Sequence, residues 1–461
     1  MELANGIFYR QYGDITLLRN VPKRMDYVFS GIVSDFLDYI KLNPGCEISH
    51  LCDSLSKEYA LEDRLSFDED MRVFAEQLTE VGILRKIEEK KTQPDEDLRE
   101  QARSIARDEH LIFSATLEIT YRCNEKCIHC YVDDKVDESQ ELTLAEYDKL
   151  LDELWDLGCH NILLTGGEIT VRKDFLDIVE MAVKKGFCVD VYSNGLALNA
   201  KHIERLASLC VNSVSFSLYG PDAKTHDAIT GIPGSFERSL FSLMMCKCAG
   251  IDIYVKTPVM KQNYASLEEL MNLGKMLGVE ICTSMVVTAS HSGCPAEHFR
   301  LMDSKKYQHV TELALEFEPD NEVLVSEYGH EVGLCGAGAI SLSIDPFGNV
   351  MPCNAIYIPM GNIREKSLRE IWEKAPLLDF LKNLKFQDVC PKKGNCEDAR
   401  WCAMCLGSAY SENKTWGPTP DICLMAQGIH RANLEFARKI KSRKGGERHE
   451  GDENLFQACN D

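Results

Sequence analysis

The chain has 461 residues, 44% of them hydrophobic, enough to bury a large core and to divide into roughly three units of about 150 residues. Its 73 acidic residues outnumber its 51 basic ones, for a net charge of −22, which argues against a nucleic-acid partner because a phosphate backbone needs a basic surface. No apolar run approaches the ~20 residues of a membrane span and the N-terminus lacks a basic-then-apolar signal layout, so the twenty cysteines read as metal ligands in a reducing, cytoplasmic compartment.

Residues 1–86 read as a separate domain. Apolar alternation over 7–12 and 15–18 flanks Gly13-Asp14, a hairpin signal. Helical spacing follows at Ile32, Val33, Phe36 and Ile40, ended by Pro44-Gly45, then at Leu51, Leu55 and Tyr59, then at Met71, Phe74, Leu78 and Val81 into Gly82. A hairpin with three helices is a winged-helix outline. DNA is the usual partner of such a module, but the third helix carries Asp68, Glu69, Asp70 and Glu76, which a phosphate backbone repels. The pattern resembles the recognition element of enzymes that modify ribosomally made peptides (RiPPs). That resemblance implies a precursor peptide whose leader adds a strand to the hairpin's edge. Residues 87–112, charged and containing Pro94, are a predicted linker with one exposed helix.

From 113 to 287 strands and helices alternate. Predicted strands are 116–120, 161–165, 188–192, 213–218, 251–257 and 280–287, with helical repeats such as Leu150, Leu151, Leu154 and Leu157 between them and a capping box at Thr143 and Glu146. Six βα units predict an α/β fold, a parallel sheet curled into a partial (β/α)6 TIM barrel with its chemistry at the C-terminal ends of the strands. The first strand leads into Cys123-Asn-Glu-Lys-Cys127-Ile-His129-Cys130. Three thiolates at this CxxxCxxC spacing suit three irons of a 4Fe-4S cube and leave the fourth open to a small molecule, whereas zinc or an electron-transfer cluster wants a fourth protein ligand.

This loop after a first strand resembles the radical S-adenosylmethionine (SAM) superfamily. The resemblance implies that the methionine amino and carboxylate groups chelate the open iron and that one electron cleaves SAM to a 5′-deoxyadenosyl radical. The second strand ends in Thr165-Gly166-Gly167-Glu168, similar to the family's GGE motif, in which the glycines admit the methionine and Glu168 accepts from its ammonium group. Tyr192-Ser193-Asn194-Gly195 ends the third strand with short polar groups suited to ribose. Ser215-Phe-Ser217-Leu-Tyr219-Gly220 is similar to the family's Ser-Leu-Asp-Gly, with Tyr219 replacing the acid; the ribose-binding serine and the carboxylate-pairing arginine fall on Ser217 and Arg238. Cys159, Cys188, Cys210, Met244, Met245, Cys246 and Cys248 read as core. Segment 288–334 bridges to the next unit, with His291-Ser-Gly-Cys294-Pro as a loop over the barrel mouth, His291 and Cys294 as groups that could reach substrate, and an amphipathic helix over 305–317.

Residues 335–425 open with Cys335-Gly-Ala-Gly and a hairpin, 339–344 and 350–354, turning at Asp345-Pro-Phe-Gly348. Cys353, Cys390, Cys396, Cys402, Cys405 and Cys423 follow; seven cysteines in this order resemble the SPASM domain. A zinc ribbon is the alternative, although seven is an awkward number for two zinc sites of four cysteines each. The resemblance implies two auxiliary 4Fe-4S clusters, cluster I on Cys335, Cys353 and Cys405 and cluster II on Cys390, Cys396, Cys402 and Cys423. The five residues between Cys390 and Cys396 depart from the family's two. Cluster I is left one ligand short, since Ser341 occupies the position of the extra cysteine in some relatives. Residues 426–461 are a predicted helix and tail.

These resemblances imply an enzyme using SAM and three 4Fe-4S clusters, reduced by a flavodoxin or ferredoxin, that holds a ribosomal precursor peptide by its leader and installs intramolecular cross-links, with no nucleic-acid or membrane partner. A cysteine thioether is the expected link, because an open iron on cluster I suits a substrate thiolate. Alternatives are a carbon–carbon link, sulfatase-maturing-type oxidation, cofactor or tetrapyrrole chemistry, and a zinc-bound scaffold that presents peptides without catalysis.

Overall fold

A computed structural model describes residues 3, 7–20, 23, 25–43, 48–59, 64–81, 83–84, 96–132, 138–291, 293–317, 335–390, 392, 396–402 and 404–443. The predictions made for Pro44-Gly45, Gly82, Pro94, 318–334 and the tail from 444 lie outside them.

Strands β1 (Ile7–Tyr12), β2 (Ile15–Asn20) and β3 (Met25–Ser30) form an antiparallel sheet in that order, with Gly13 at positive φ in the first turn. Helices α1 (Val33–Leu42), α2 (Ile48–Glu58) and α3 (Arg64–Glu80) cover one face. β3 was not in the sequence reading. Its alternation is clear once seen: Tyr27 and Phe29 pack toward these helices and Val28 toward the opposite face. The predicted linker helix is real, α4 (Glu96–Asp108), but only one side of it is exposed. Ala102 and Ala106 are buried with Tyr12, Leu17, Val28 and Phe113, because an alanine stripe at helical spacing lets the helix press onto the sheet while looking polar in composition.

Six parallel strands follow, β4 (Ser114–Thr120), β5 (Asn161–Gly166), β6 (Cys188–Ser193), β7 (Ser213–Ser217), β8 (Ile253–Pro258) and β9 (Glu280–Ser284), in sequence order across the sheet. Helices α5 (Leu144–Asp156), α6 (Phe175–Lys184), α7 (Ala200–Ser208), α8 (Ala223–Thr230), α9 (Ser235–Cys248) and α10 (Leu267–Leu277) alternate with them, and the capping box at Thr143 and Glu146 forms. The last strand stops three residues short of its predicted end. Alternate residues Ala115, Leu117 and Ile119 of β4 face the helical layer as core, so Glu118 faces the barrel interior.

The C-terminal hairpin is not confined to a separate domain. β10 (Ser341–Ile344) pairs in parallel with β4, from Ser341 beside Ser114 to Ile344 beside Leu117, and carries β11 (Asn349–Met351) and β12 (Gly361–Asn362) outward. Leu342, Ile344 and Val350 join the barrel core, and the edge of β4 is covered. Helix α11 (Ser304–Phe317) packs in the bridge. Helices α12 (Leu368–Lys374), α13 (Pro376–Asn383), α14 (Phe386–Val389), α15 (Leu406–Asn413) and α16 (Pro420–Arg443) complete the chain. α16 lies against α11 where Gly428 meets Ser304 and Gln308, and it runs without a break through the predicted boundary at 425/426, since Ile422, Met425, Ala426 and Ile429 share one buried face. Buried Arg300 bonds to Val287 O after the last barrel strand and ties the bridge to this unit through Ser408, Glu412 and Asp421.

The N-terminal sheet docks on the end of the barrel where strands begin. Arg10 bonds to Trp155 O and stacks over its ring, Tyr12 bonds to Gly158 O, and Arg19 bonds to Asn212 at 2.9 Å. Those residues precede β5 and β7, so the domain sits on the face opposite the one where a barrel of this kind carries its site. Among the described residues no helix is long and apolar enough to cross a membrane.

Candidate active site

Where β4 ends, its register against β5 slips between Glu118 and Thr120, and this bulge turns the chain out of the sheet into the cysteine loop. The loop has no regular secondary structure and is held by its neighbours. Lys126 and Ile128 donate backbone bonds to Thr230 and Ile229 at the end of α8 (2.9 and 3.0 Å), while Gly167 and Glu168 donate theirs to Thr120 and Arg122 (2.7 and 2.9 Å). Gly166 adopts φ +145°, and a Cβ on it would fall 2.1 Å from Thr120 O; one on Gly167 would fall 2.4 Å from Arg122 O. The close approach that demands glycine at both positions is therefore to the root of the cysteine loop.

Cys123, Cys127 and Cys130 line a cavity of about 700 Å³ at the C-terminal ends of the strands, together with Gly166, Gly167, Glu168, Ser193, Asn194 and Ser217. Cys123 and Cys130 are exposed at the cavity and Cys127 is half-buried; partial desolvation pushes the Cys123 thiol up to about 12 and raises Cys127 as well. Glu125 N–H donates to Cys123 Sγ at 3.4 Å and Cys127 Sγ donates to Glu125 Oε2 at 3.2 Å. Glu125 Oε1 and His129 Nδ1 are buried without a hydrogen-bond partner among the described residues. Three soft donors lining one open cavity, with a backbone N–H aimed at the first of them, fit a 4Fe-4S cube with one exchangeable corner on the chemistry of the donor set.

Seven more thiols gather in two places. Cys390, Cys396, Cys402 and Cys423 surround a second cavity of about 130 Å³, walled by Phe386, Ala399, Met404 and Ala426. Burial pushes Cys402 up to about 12. Cys335, Cys353 and Cys405 form the other group, in which Cys353 is also pushed up to about 12, by burial and then by its two neighbours. Each of its sulfurs accepts a backbone N–H, from Ala337, Ala355 and Ser408, all at 3.4 Å. Both groups fit iron–sulfur clusters on the chemistry of their donors.

A model of the radical SAM superfamily matches residues 117–274, and one of the iron-sulfur cluster-binding SPASM domain matches residues 335–406. The chain is a radical SAM enzyme with a SPASM domain. Its two domains thus bind SAM and iron–sulfur clusters. The AdoMet-dependent heme synthase of Methanosarcina barkeri is 27% identical over 336 residues, 68% of this chain and 96% of that one. The antilisterial bacteriocin subtilosin biosynthesis protein AlbA of Bacillus subtilis is 27% identical over 310 residues, 65% of this chain and 68% of that one. Among solved structures, Streptococcus suis SuiB shares the fold with TM-score 0.59 at 16% identity, across 91% of this chain and 98% of that one. SuiB bound to precursor peptide SuiA matches with TM-score 0.56 at 16% identity, across 83% and 90%.

Within the radical SAM domain, Glu168 is buried on the cavity wall with its carboxylate already engaged. Oε1 accepts from Thr170 Oγ1 and N (2.6 and 3.1 Å) and Ser193 Oγ (2.8 Å), and Oε2 from Asn194 N (2.6 Å). Asn194 Nδ2 reaches Asn124 Oδ1 at 2.7 Å, so strand three is tied to the cysteine loop. Ser217 is half-buried on the wall, and Tyr219 meets His129 edge-on at 4.8 Å. Arg238 is exposed on α9, off the wall, with its guanidinium bonded to Gly234 O and Pro233 O (3.1 and 3.4 Å). Ser341 Oγ donates to Gly336 O at 3.0 Å. Cys294 is exposed, and His291 stacks on Tyr357 at 3.9 Å instead of lining the large cavity.

Sequence reading missed Glu118, Tyr121, Tyr131 and Asn354. The last three line the cavity, and Glu118 lies directly behind two of them. One signal was available: an acid in the middle of Ser114–Thr120, an otherwise buried strand.

Proposed function

We propose that this enzyme holds the leader of a ribosomal precursor peptide on residues 7–84 and joins a cysteine sulfur of that peptide to a carbon of another residue, using three 4Fe-4S clusters. The observation that carries the reading is the course of the large cavity. It opens among Cys123, Cys127 and Cys130, and its wall extends to Tyr131 and to Asn354, the residue after Cys353. A side chain lodged there stands between two thiol groups suited to clusters. The bound cofactors would supply a carbon radical that takes one hydrogen atom from the peptide carbon and a cluster that takes up the remaining electron as the S–C bond forms, the thiol proton passing to solvent. The chain's own residues orient and exclude water: Gly166, Gly167 and Glu168 at the methionine end of SAM, Ser193, Asn194 and Ser217 at the ribose. Cys335, Cys353 and Cys405 supply three ligands to cluster I, and with Ser341 turned to Gly336 a substrate thiolate is the natural fourth.

Support for the peptide partner comes from the N-terminal sheet, whose β3 is an edge strand among the described residues and can accept an added strand. SuiB, which has been solved bound to precursor peptide SuiA, shares the fold across 83% of this chain. The sheet sits at the far end of the barrel, so leader and modified residue need a spacer on the order of ten residues, at ~3.3 Å each, to round strands that are themselves ~20 Å long. A second reading, heme synthesis, is favoured by the similarity to the Methanosarcina barkeri relative along 96% of its length; that reading leaves residues 7–84 without a task.

The test is mass spectrometry of a cysteine-containing precursor encoded beside the gene, treated with enzyme, SAM and reductant. A thioether removes two hydrogens and one alkylatable cysteine per link. Loss of two hydrogens with every cysteine still alkylatable replaces it with a carbon–carbon link, and turnover of a tetrapyrrole with no change in the peptide overturns the reading.

A further inference from the structure

Tyr121 stands two residues before the first cysteine of the loop and Tyr131 one residue after the last, and both hydroxyls end on the same carboxylate. Tyr131 donates to Glu118 Oε1 at 2.7 Å and Tyr121 to Glu118 Oε2 at 3.0 Å. Glu118 is 0% exposed and is the last residue of β4 before its register slips against β5. Among the described residues no cation pairs with it, and a second carboxylate, Asp345, adds to its cost.

A buried carboxylate held only by neutral donors is a poor way to stabilise a barrel, since an apolar residue of similar size does that better. What it delivers is geometry. The eight residues Cys123 to Cys130 are bracketed by the two tyrosines, and one rigid strand residue grips both. A wedge of rings backs the grip: His291 lies 5.9 Å from Tyr121 and 5.3 Å from Tyr131, its backbone N–H donates to Tyr131 O at 2.8 Å, and Phe347 stands 5.8 Å from Tyr121. The bridge and the SPASM hairpin thus press on the joint from behind.

We propose that Glu118 is the positioning residue of the cysteine loop: by holding Tyr121 and Tyr131 at once it fixes both ends of Cys123–Cys130 and sets the face that the loop's cluster turns to SAM. It touches neither the cluster nor SAM. In Glu118→Gln one acceptor oxygen becomes an amide nitrogen, and the variants Tyr121→Phe and Tyr131→Phe each remove one arm while keeping the ring.

The experiment uses the full chain, reconstituted anaerobically, and reads iron content, unfolding midpoint, SAM affinity by equilibrium binding and the change in the reduced cluster's EPR signal when SAM is added. Each phenylalanine variant is expected to weaken SAM binding roughly three- to tenfold and to broaden the SAM-induced signal at unchanged iron content. Glu118→Gln combined with Tyr131→Phe is expected to add little to either alone, because all three act through one joint. SAM affinity and EPR response equal to wild type in the two phenylalanine variants overturn the proposal, as does a lowered unfolding midpoint with SAM binding intact. If Glu118→Gln fails to fold, coupling between the two phenylalanine variants decides: strictly additive losses also overturn it.

Discussion

The cysteine loop of the radical SAM domain and the pocket of Cys390, Cys396, Cys402 and Cys423 use one residue type in opposite surroundings. Three thiols at the loop share a cavity of about 700 Å³ with Glu168, Ser193 and Asn194. Four thiols in the SPASM domain, of which Cys402 is buried and Cys423 exposed, line about 130 Å³ walled by Phe386, Met404 and Ala426. The loop is irregular and is positioned by long-range bonds to Thr230, Asn194 and Glu118's tyrosines, whereas the pocket sits within an apolar cluster that would pack on its own account. The lesson is that ligand number and enclosure change together: a site that must admit a second molecule gives up a ligand and its apolar wall, and then needs distant residues to stay in place.

Replacing Cys123, Cys127 and Cys130 together by Ala tests whether the two regions are independent. SAM cleavage should vanish while about eight irons remain, measured by iron assay and EPR; loss of all iron would tie the clusters into one unit. Cys402→Ala attacks the closed side. It should remove about four irons and lower the unfolding midpoint while leaving SAM affinity within about twofold, and an unchanged iron count would take the pocket out of cluster binding.

Glu168→Gln acts on the open wall. It removes the anion that Thr170, Ser193 and Asn194 converge on, and SAM affinity should fall about ten- to a hundredfold in equilibrium binding. The cost of burying an acid in the open domain is legible in pH dependence. Burial raises Glu118 to about 7, so the folded chain keeps a proton that the unfolded chain releases near pH 4.5. Its contribution to stability therefore falls as pH rises from about 4.5 to about 7 and is level above that. Relative to Glu118→Gln, the metal-free wild type should lose roughly 1–3 kcal/mol across that window in denaturant titrations, and a difference that is flat in pH would sink the assignment. Arg238→Ala should have the smallest effect, under about threefold on SAM affinity, given an exposed guanidinium held by Gly234 and Pro233. A tenfold loss would mean that the side chain swings onto SAM.

Local features were legible. Period-two and period-3.6 patterns placed all six barrel strands within a few residues, and the resemblance to the SPASM domain grouped the four thiols that line the smaller pocket. What stayed hidden depends on distant chain. Nothing near Ser341 says that β10 will lie beside Ser114. α4 hides its contact face in alanines. Glu118 is one acid in a strand until Tyr121 and Tyr131 converge on it from either side of the loop, and the conformation of Arg238 is set by backbone carbonyls that no motif records.

The pairing of β10 with β4 also has a history in time. Residues 121–340 are synthesised between the two strands, and at about 5–20 residues per second the ribosome needs on the order of 10–40 s to supply them. For that interval the newborn β4 presents a bare backbone edge beside a half-made barrel, the kind of edge that recruits other chains. The SPASM hairpin is in this sense the barrel's last strand, and the edge of β4 stays open until the ribosome has delivered it.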